Sequence, residues 1–261
     1  MERDSVKNTF LVATMLCVVC SVLVSSAAVM LRDAQEANKI RERKKNVLIA
    51  AGLHDPEVSI EQTYDEKITA IVIELETGKV EISLDSSTFD QRSAARDPQQ
   101  SHALTNKEDV AGLKRRERYA VVFLVQKDEN PDQFILPIRG MGLWSTLYGF
   151  ISLDANTSTI RGLTFYEHGE TPGLGGEVDN AKWKTNWIGK EAFDEQGRIQ
   201  IQVIKGTVDP NDTNRQHQVD GLSGATITSR GVTNMLEYWL GDQGFGPFLK
   251  RKRDERGATD G

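Results

Sequence analysis

The hydrophobic pattern begins with an uninterrupted apolar stretch near the amino terminus. Thr9 to Leu31 carry no charge over 23 positions, and as a helix they span about 34 Å, enough to cross a hydrocarbon core of about 30 Å. This predicts a short tail over residues 1–8 and one transmembrane helix over 9–31. The alternative is a cleaved signal peptide with residues 25–28 as its cleavage region. It is disfavoured because apolar residues resume at 29–31.

Two helices are predicted in the rest of the chain. Residues 32–53 are charged first and then apolar, ending at Gly52, which is typical of a juxtamembrane helix. Near the end of the chain, apolar residues recur at three- and four-residue spacing from Val232 to Leu240. Thr228 or Ser229 could cap that second helix, and Gly241 could end it.

Alternating and apolar runs between these helices predict strands. Ile71–Leu75 and Val80–Leu84 flank the turn Thr77-Gly78-Lys79 and predict a hairpin. Further strands are predicted over 119–126, 134–138, 148–153, 163–167 and 199–204. The pattern indicates an α+β domain over residues 54–249 with a mixed or antiparallel sheet and flanking helices. Residues 88–118 have no apolar periodicity and are predicted to form an exposed polar insertion around short helices, and residues 250–261 are predicted to form a basic, solvated tail.

Composition narrows the function classes. The 261 residues carry 32 basic and 38 acidic side chains, a net charge of −6, which disfavours a nucleic-acid-binding protein. Cys17 and Cys20 both lie in the apolar stretch, so the remaining chain has no disulfide framework and no cysteine-ligated metal site. A lipid anchor on Cys20 is disfavoured because Val19 stands where a small residue is expected.

Small and hydroxylated residues precede the last predicted helix, over Asp220–Ser229. Glycine lets the backbone approach a ligand closely, and the amides and dipole at a helix start favour a phosphate. Ser223, Thr226, Thr228 and Ser229 add hydroxyl donors, so a phosphate-bearing ligand is one interpretation and a polar helix cap is the other.

A serine hydrolase is a further hypothesis for this stretch. Residues 221–225 approach the G-x-S-x-G nucleophile elbow around Ser223, but Ala225 replaces its last glycine and no buried strand precedes it. The sequence also favours none of the four histidines as the base. These candidates are His54, His102, His168 and His217.

A second glycine-rich segment, residues 168–177, follows a predicted strand. Pro172 and its glycines predict a shaped loop whose backbone could face the edge of a planar ring, or an ordinary turn. Trp144 could form the wall of a flat-ligand site, although tryptophan is more often a core residue. His168, Glu170 and Glu177 match no recognised metal-ligand spacing, so we expect no metal site.

The chain resembles the C subunit of the sodium-translocating NADH:quinone oxidoreductase, a family with a covalent FMN-binding domain. The segments that carry the resemblance are Lys45–Leu53, Pro137–Trp144, Glu170–Gly175 and the Ser-Gly-Ala-Thr motif ending at Thr226. The resemblance implies an FMN joined to Thr226 through a phosphoester bond. It also implies further cofactor-binding residues: Asp220, Ser223, Gly224, Ala225, Thr228, Glu170, Thr171, Leu174, Gly175 and Trp144.

The same resemblance implies partners and a location. It implies an electron-carrier subunit that is bound to other subunits of the complex, modified by a flavin transferase that uses FAD, and inserted in the lipid of the bacterial inner membrane. It also implies a periplasmic FMN domain. The positive-inside rule disagrees, because six basic residues follow the span over 32–45 and only Arg3 and Lys7 precede it; we follow the resemblance.

Two other functions stay open. The G subunit of the related Rnf complex has the same anchor and threonine motif, but the 88–118 insertion and the chain length favour the quinone reductase subunit. A membrane-tethered scaffold domain without a cofactor is the alternative from a different class.

Overall fold

The computed structural model describes residues 6–127 and 130–259, in two units that meet in sequence between Arg43 and Lys44. Most of the predicted tail over 1–8 and the last two residues of the chain lie outside the described residues. The first unit contains helix α1, Val6–Met30, and the beginning of helix α2, Arg32–Ala50. Within the described ranges, α1 is the helix that is long and apolar enough to cross a membrane.

The second unit is built on a five-stranded antiparallel sheet. In their order across the sheet, its strands are β1 (Ile68–Glu74), β4 (Tyr119–Lys127), β5 (Asn130–Met141), β6 (Thr146–Asp154) and β7 (Ile160–Glu167). Two short pairs lie outside it: β2 (Ser101–Ala103) with β3 (Arg115–Glu117), and β8 (Gln202–Val203) with β9 (Gln218–Val219). The predicted α+β class with an antiparallel sheet and flanking helices is confirmed.

The remaining helices of the second unit are α3 (Ile60–Lys67), α4 (Gln91–Arg96), α5 (Ala181–Thr185), α6 (Thr226–Leu240) and α7 (Gly246–Thr259), with single 3₁₀ turns at Gly175–Asp179 and Arg215–His217. Successive side chains of a strand point to opposite faces of the sheet. Leu124 and Leu136 therefore pack on the side of α6 and α7, whereas Phe123 and Ile135 pack on the side that holds Val47 and Leu48.

The predicted hairpin after β1 is shorter than the pattern indicates. Val80 forms one isolated bridge with Ile73, and the chain then leaves the sheet. Ile82 is 93% exposed and Val80 is 47% exposed, whereas Leu84 packs partly against the core, so the alternation at 80–84 does not extend into a strand.

The insertion over 88–118 is less exposed than its polarity predicts. It contains α4, β2 and β3, and its Glu117 is fully buried. The Glu117 carboxylate accepts hydrogen bonds from Arg139 of β5 at 2.5 Å and from Gln91 at 2.7 Å. This ion pair, together with the buried Ala94 and Ala111, holds the segment against the domain although its sequence shows no apolar periodicity.

Two predictions near the end of the chain are corrected. The strand predicted over 199–204 reduces to Gln202–Val203, which pairs in parallel with β9. The tail predicted over 250–261 belongs to helix α7 through Thr259. Pro247 is tolerated there because it lies in the first turn, where a backbone N–H has no acceptor within the helix. Further along the helix, Lys252 pairs with Glu255 at 2.7 Å.

Candidate functional site

Helix α6 begins earlier than predicted. Ala225 occupies the N-cap position without a side-chain cap, and Thr226 is the first helical residue. Gly224 precedes it at a φ of +71°, a conformation that favours glycine, and a Cβ there would lie 2.9 Å from Cδ2 of Leu174. The prediction that Thr228 or Ser229 caps the helix is therefore wrong, because both lie within its first turn; Gly241 does end the helix.

Burial divides the hydroxyl groups around this helix start into two classes. Thr228 is fully buried and donates to Glu170 Oε2 at 2.7 Å. Ser229 is 4% exposed, and its Oγ accepts from the Leu222 amide at 3.0 Å. Ser223 and Thr226 are exposed, and neither side chain makes a hydrogen bond within residues 6–127 and 130–259. The accessible hydroxyls are therefore those of Ser223 and Thr226.

A cavity of about 610 Å³ opens beside Thr226. Its lining includes Ser223, Gly224, Thr226, Lys205, Arg230 and Thr233. Lys205 and Arg230 bring two positive charges, and the lining residues, all in the described part of the chain, include no carboxylate. Together with the helix start, these cations make the cavity suited to an anionic group.

Asp220 holds the wall of this cavity. Its Oδ1 accepts from the Val208 amide at 2.8 Å, and its backbone carbonyl accepts from Trp183 Nε1 at 2.8 Å. The neighbouring Gly221 leaves no space for a side chain, because a Cβ there would lie 2.3 Å from the Ile204 carbonyl oxygen. Ala225, predicted in the same motif, is buried and donates its amide to the Leu222 carbonyl.

The loop over 168–176 reaches the same helix through Glu170. This side chain is 5% exposed, and its carboxylate receives the Thr228 hydroxyl and three successive backbone amides, those of residues 143–145. Burial is the strongest single influence and opposes ionisation, but these four donors together hold the pKa of Glu170 below its usual value. Glu170 is therefore ionised at neutral pH.

The other predicted loop residues lie around this carboxylate. A Cβ on Gly175 would lie 2.5 Å from Glu170 Oε2, so only glycine fits there. Thr171 is exposed, and its carbonyl accepts from the amides of Leu174 and Gly176. Leu174 is 44% exposed, and Trp144 is 68% exposed rather than a core residue.

Sequence reasoning missed further exposed apolar residues beside these. Leu143 and Ile227 are each directly next to a predicted residue and are more than a third exposed. It also missed the cations Lys205 and Arg230 of the cavity. Arg230 could have been found, because it follows Thr226 by four positions and four-residue spacing keeps residues on one helix face.

The alternative chemistries gain no support from the geometry. His168 bonds to Asp179 at 2.8 Å, and His217 Nδ1 bonds to the Glu191 carbonyl at 2.7 Å, so both rings are engaged away from Ser223. Across the described ranges, no group of three or more His, Cys, Asp or Glu residues is arranged to hold a metal ion.

Comparison with known proteins identifies the family. Residues 142–241 match the FMN-binding domain family. The chain is 48% identical to the C subunit of the Na(+)-translocating NADH-quinone reductase of Pseudomonas aeruginosa, over 97% of this chain and 98% of that protein. It is 45% identical to the corresponding protein of Yersinia pestis, over 97% of this chain and 95% of that one.

A solved structure agrees with these relatives. The crystal structure of Shewanella oneidensis NqrC superposes with a TM-score of 0.77 at 35% identity, covering 84% of this chain and 99% of that one. These relatives bear the name of the quinone reductase subunit, which the insertion and chain length favoured over the Rnf G subunit. The chain therefore belongs to the family formed by the C subunits of the Na(+)-translocating NADH-quinone reductase.

Proposed function

We propose that this chain is an electron-carrier subunit whose FMN is joined by a phosphoester bond to Thr226. The observation that carries this proposal is the accessible Thr226 hydroxyl beside a cationic cavity, while Thr228 and Ser229 of the same motif are buried and engaged. The match of residues 142–241 to the FMN-binding domain family supports it, because that range contains Trp144, the 168–176 loop and Thr226.

The described residues fit a flavin nucleotide in both its parts. The first turn of α6, with Lys205 and Arg230, would stabilise the negative phosphate. The exposed faces of Trp144 and Leu174 would flank the ring system, with Thr171, Gly175 and Glu170 completing that loop. Bound FMN supplies one- and two-electron transfer, whereas the chain supplies its position and its polar surroundings.

Attachment requires a separate enzyme. A flavin transferase that uses FAD would deliver the FMN phosphoryl group: the Thr226 Oγ–P bond forms, the pyrophosphate P–O bond breaks, AMP leaves, and the hydroxyl proton passes to a base. Ser223, Gly224, Ala225 and Asp220 would form the motif that this transferase recognises: Ser223 and Gly224 are exposed, whereas the buried Ala225 and the hydrogen-bonded Asp220 would hold their backbone in place.

The protein would work in the bacterial inner membrane with the other subunits of the complex. Helix α1 would contact lipid, and the FMN domain would face the periplasm, where the transferase acts. NADH oxidation and quinone reduction would take place in partner subunits. A reporter fused after Gly261 tests the orientation: activity only outside the cytoplasm agrees with it, and activity only inside contradicts it.

In-gel fluorescence tests the covalent link. The full chain is coexpressed with a flavin transferase and run on a denaturing gel, where we expect a fluorescent band for the unaltered chain. Ser223→Ala should give a weaker fluorescent band, because Ser223 belongs to the recognition surface but is not the attachment residue. Thr226→Val should give a dark band at the same protein level. A dark unaltered chain would favour a scaffold domain without attached cofactor, and a dark Ser223→Ala band beside a bright Thr226→Val band would move the attachment to Ser223.

A further inference from the structure

We infer that Glu170 is a positioning residue: its carboxylate assembles the ring-binding surface from three segments, and it does not itself bind the ring. The inference rests on the proposed function for the identity of the ligand. The three segments are the turn over 142–145, the loop over 168–176 and the first turn of α6.

The four donors already fill the carboxylate. Oε1 accepts from the amides of Trp144 at 2.8 Å and Ser145 at 3.1 Å. Oε2 accepts from the Leu143 amide at 3.2 Å and the Thr228 hydroxyl at 2.7 Å. A carboxylate has about four lone-pair sites, so these bonds leave none directed at a ligand. Glu170 therefore acts through the backbone and hydroxyl groups that it holds.

Two glycines show how closely the segments approach at this point. A Cβ on Gly142 would lie 2.7 Å from Glu170 Oε1, and a Cβ on Gly175 would lie 2.5 Å from Oε2. There is consequently no space for a larger side chain on either side of the carboxylate. The 142–145 turn and the 168–176 loop are therefore closely packed around the carboxylate, with no room for an alternative arrangement of the two backbones.

The backbone of Glu170 is held from the opposite side. Its amide donates to His168 Nδ1 at 3.2 Å, and His168 Nε2 donates to Asp179 at 2.8 Å. The adjoining Gly169 amide donates to Ser145 Oγ at 2.6 Å, which joins the loop to the 142–145 turn a second time. Glu170 is thus held by hydrogen bonds at both its backbone and its carboxylate oxygens.

The function of this arrangement follows from what it leaves exposed. The amides of Leu143 and Trp144 are held by Glu170, but their side chains are 40% and 68% exposed. When exposed apolar side chains stand on an anchored backbone, that backbone is preorganised, so covering a flat ligand needs no further ordering of the main chain. The Glu170 clamp, by which we mean its carboxylate and the four donors bonded to it, also fixes Thr228, two positions after the proposed attachment residue.

Glu170→Gln tests the inference because it keeps the shape and replaces an acceptor by an NH₂ donor that faces the amides of the 142–145 turn. The unaltered flavinylated chain and the Thr228→Val variant are measured beside it. Glu177→Gln is the matched control, since it removes a carboxylate of the adjoining 3₁₀ turn, which accepts a hydrogen bond from Asn180 and, among the described residues, none from the 142–145 turn. The readouts are iodide quenching of flavin fluorescence and the FMN midpoint potential.

We expect a severalfold increase in quenching and a positive shift in potential for Glu170→Gln, because the negative charge is removed. For Thr228→Val, which keeps the charge, we expect a smaller increase in quenching that Thr228→Ser rescues, and for Glu177→Gln the unaltered values. Equal quenching and potential in Glu170→Gln and the unaltered chain would overturn the inference. If Glu170→Gln does not fold, unaltered values in Thr228→Val would overturn it. A dark band for the unaltered chain would instead contradict the proposed function.

Discussion

Glu117 and Glu170 are both buried carboxylates that join distant segments, but their partners differ in charge. Glu117 holds the polar insertion against β5 through the Arg139 guanidinium. Glu170 holds the candidate site through uncharged donors, three amides and one hydroxyl. The first arrangement neutralises its charge within the scaffold, whereas the second leaves a net negative charge beside an exposed surface. The difference separates a contact that stabilises the scaffold from one that also shapes the candidate site.

Removing the cation of the scaffold pair should have the largest effect. Arg139→Met leaves Glu117 buried and unpaired, which costs about 3–5 kcal/mol in the free energy of unfolding. The measurement is denaturant unfolding of the full chain in detergent, monitored by tryptophan fluorescence. Adding Glu117→Met should recover much of the loss, because the uncompensated charge disappears. A single variant as stable as the unaltered chain would show that the pair does not hold the insertion.

Crowding the Glu170 carboxylate should destabilise the fold less than Arg139→Met does, but it should lower the yield of attached flavin. The added methyl of Gly175→Ala would meet Glu170 Oε2 and the Thr228 hydroxyl, so we expect a loss of about 1–3 kcal/mol and a lower yield of attached flavin. Gly169→Ala is the control in the same loop, because its Cβ would make only ordinary contacts with Ser145. Unfolding and in-gel fluorescence measure the two effects; equal flavin yields in both variants would contradict the described packing.

Lowering the pH should remove the stabilisation that the Glu170 carboxylate provides, and this is the smallest of the three expected effects. Because the folded-state pKa of Glu170 is lowered, its ionised form stabilises the fold above the ordinary glutamate value of 4.5, and this contribution is lost as the pH falls through the folded-state pKa. The difference in unfolding free energy between the unaltered chain and Glu170→Gln should therefore shrink from pH 7 toward pH 3. A difference that stays constant over this range would contradict an ionised Glu170.

The two regions also differ in how far the sequence predicts them. The strands β4 to β7 were predictable because their apolar runs match sheet burial. The family resemblance proposes Thr226 from the sequence because the motif that carries it is local. The clamp was not predictable: Glu170 and Thr228 are 58 positions apart, and nothing near either residue specifies the other. The Glu117–Arg139 pair could not be predicted for the same reason, because its members are 22 positions apart. The start of α6 was misplaced because hydroxyl residues usually cap helices, whereas here Thr228 bonds across the site instead.

Peptide mapping of the matured full chain tests the central claim most directly. Trypsin releases residues 216–230 as one peptide, because cleavage follows Arg215 and Arg230 and the stretch between them contains no other lysine or arginine. We expect this peptide to carry the mass of FMN less one water, with fragment ions that assign it to Thr226. An unmodified peptide, or fragment ions that assign the added mass to Ser223, would contradict the account.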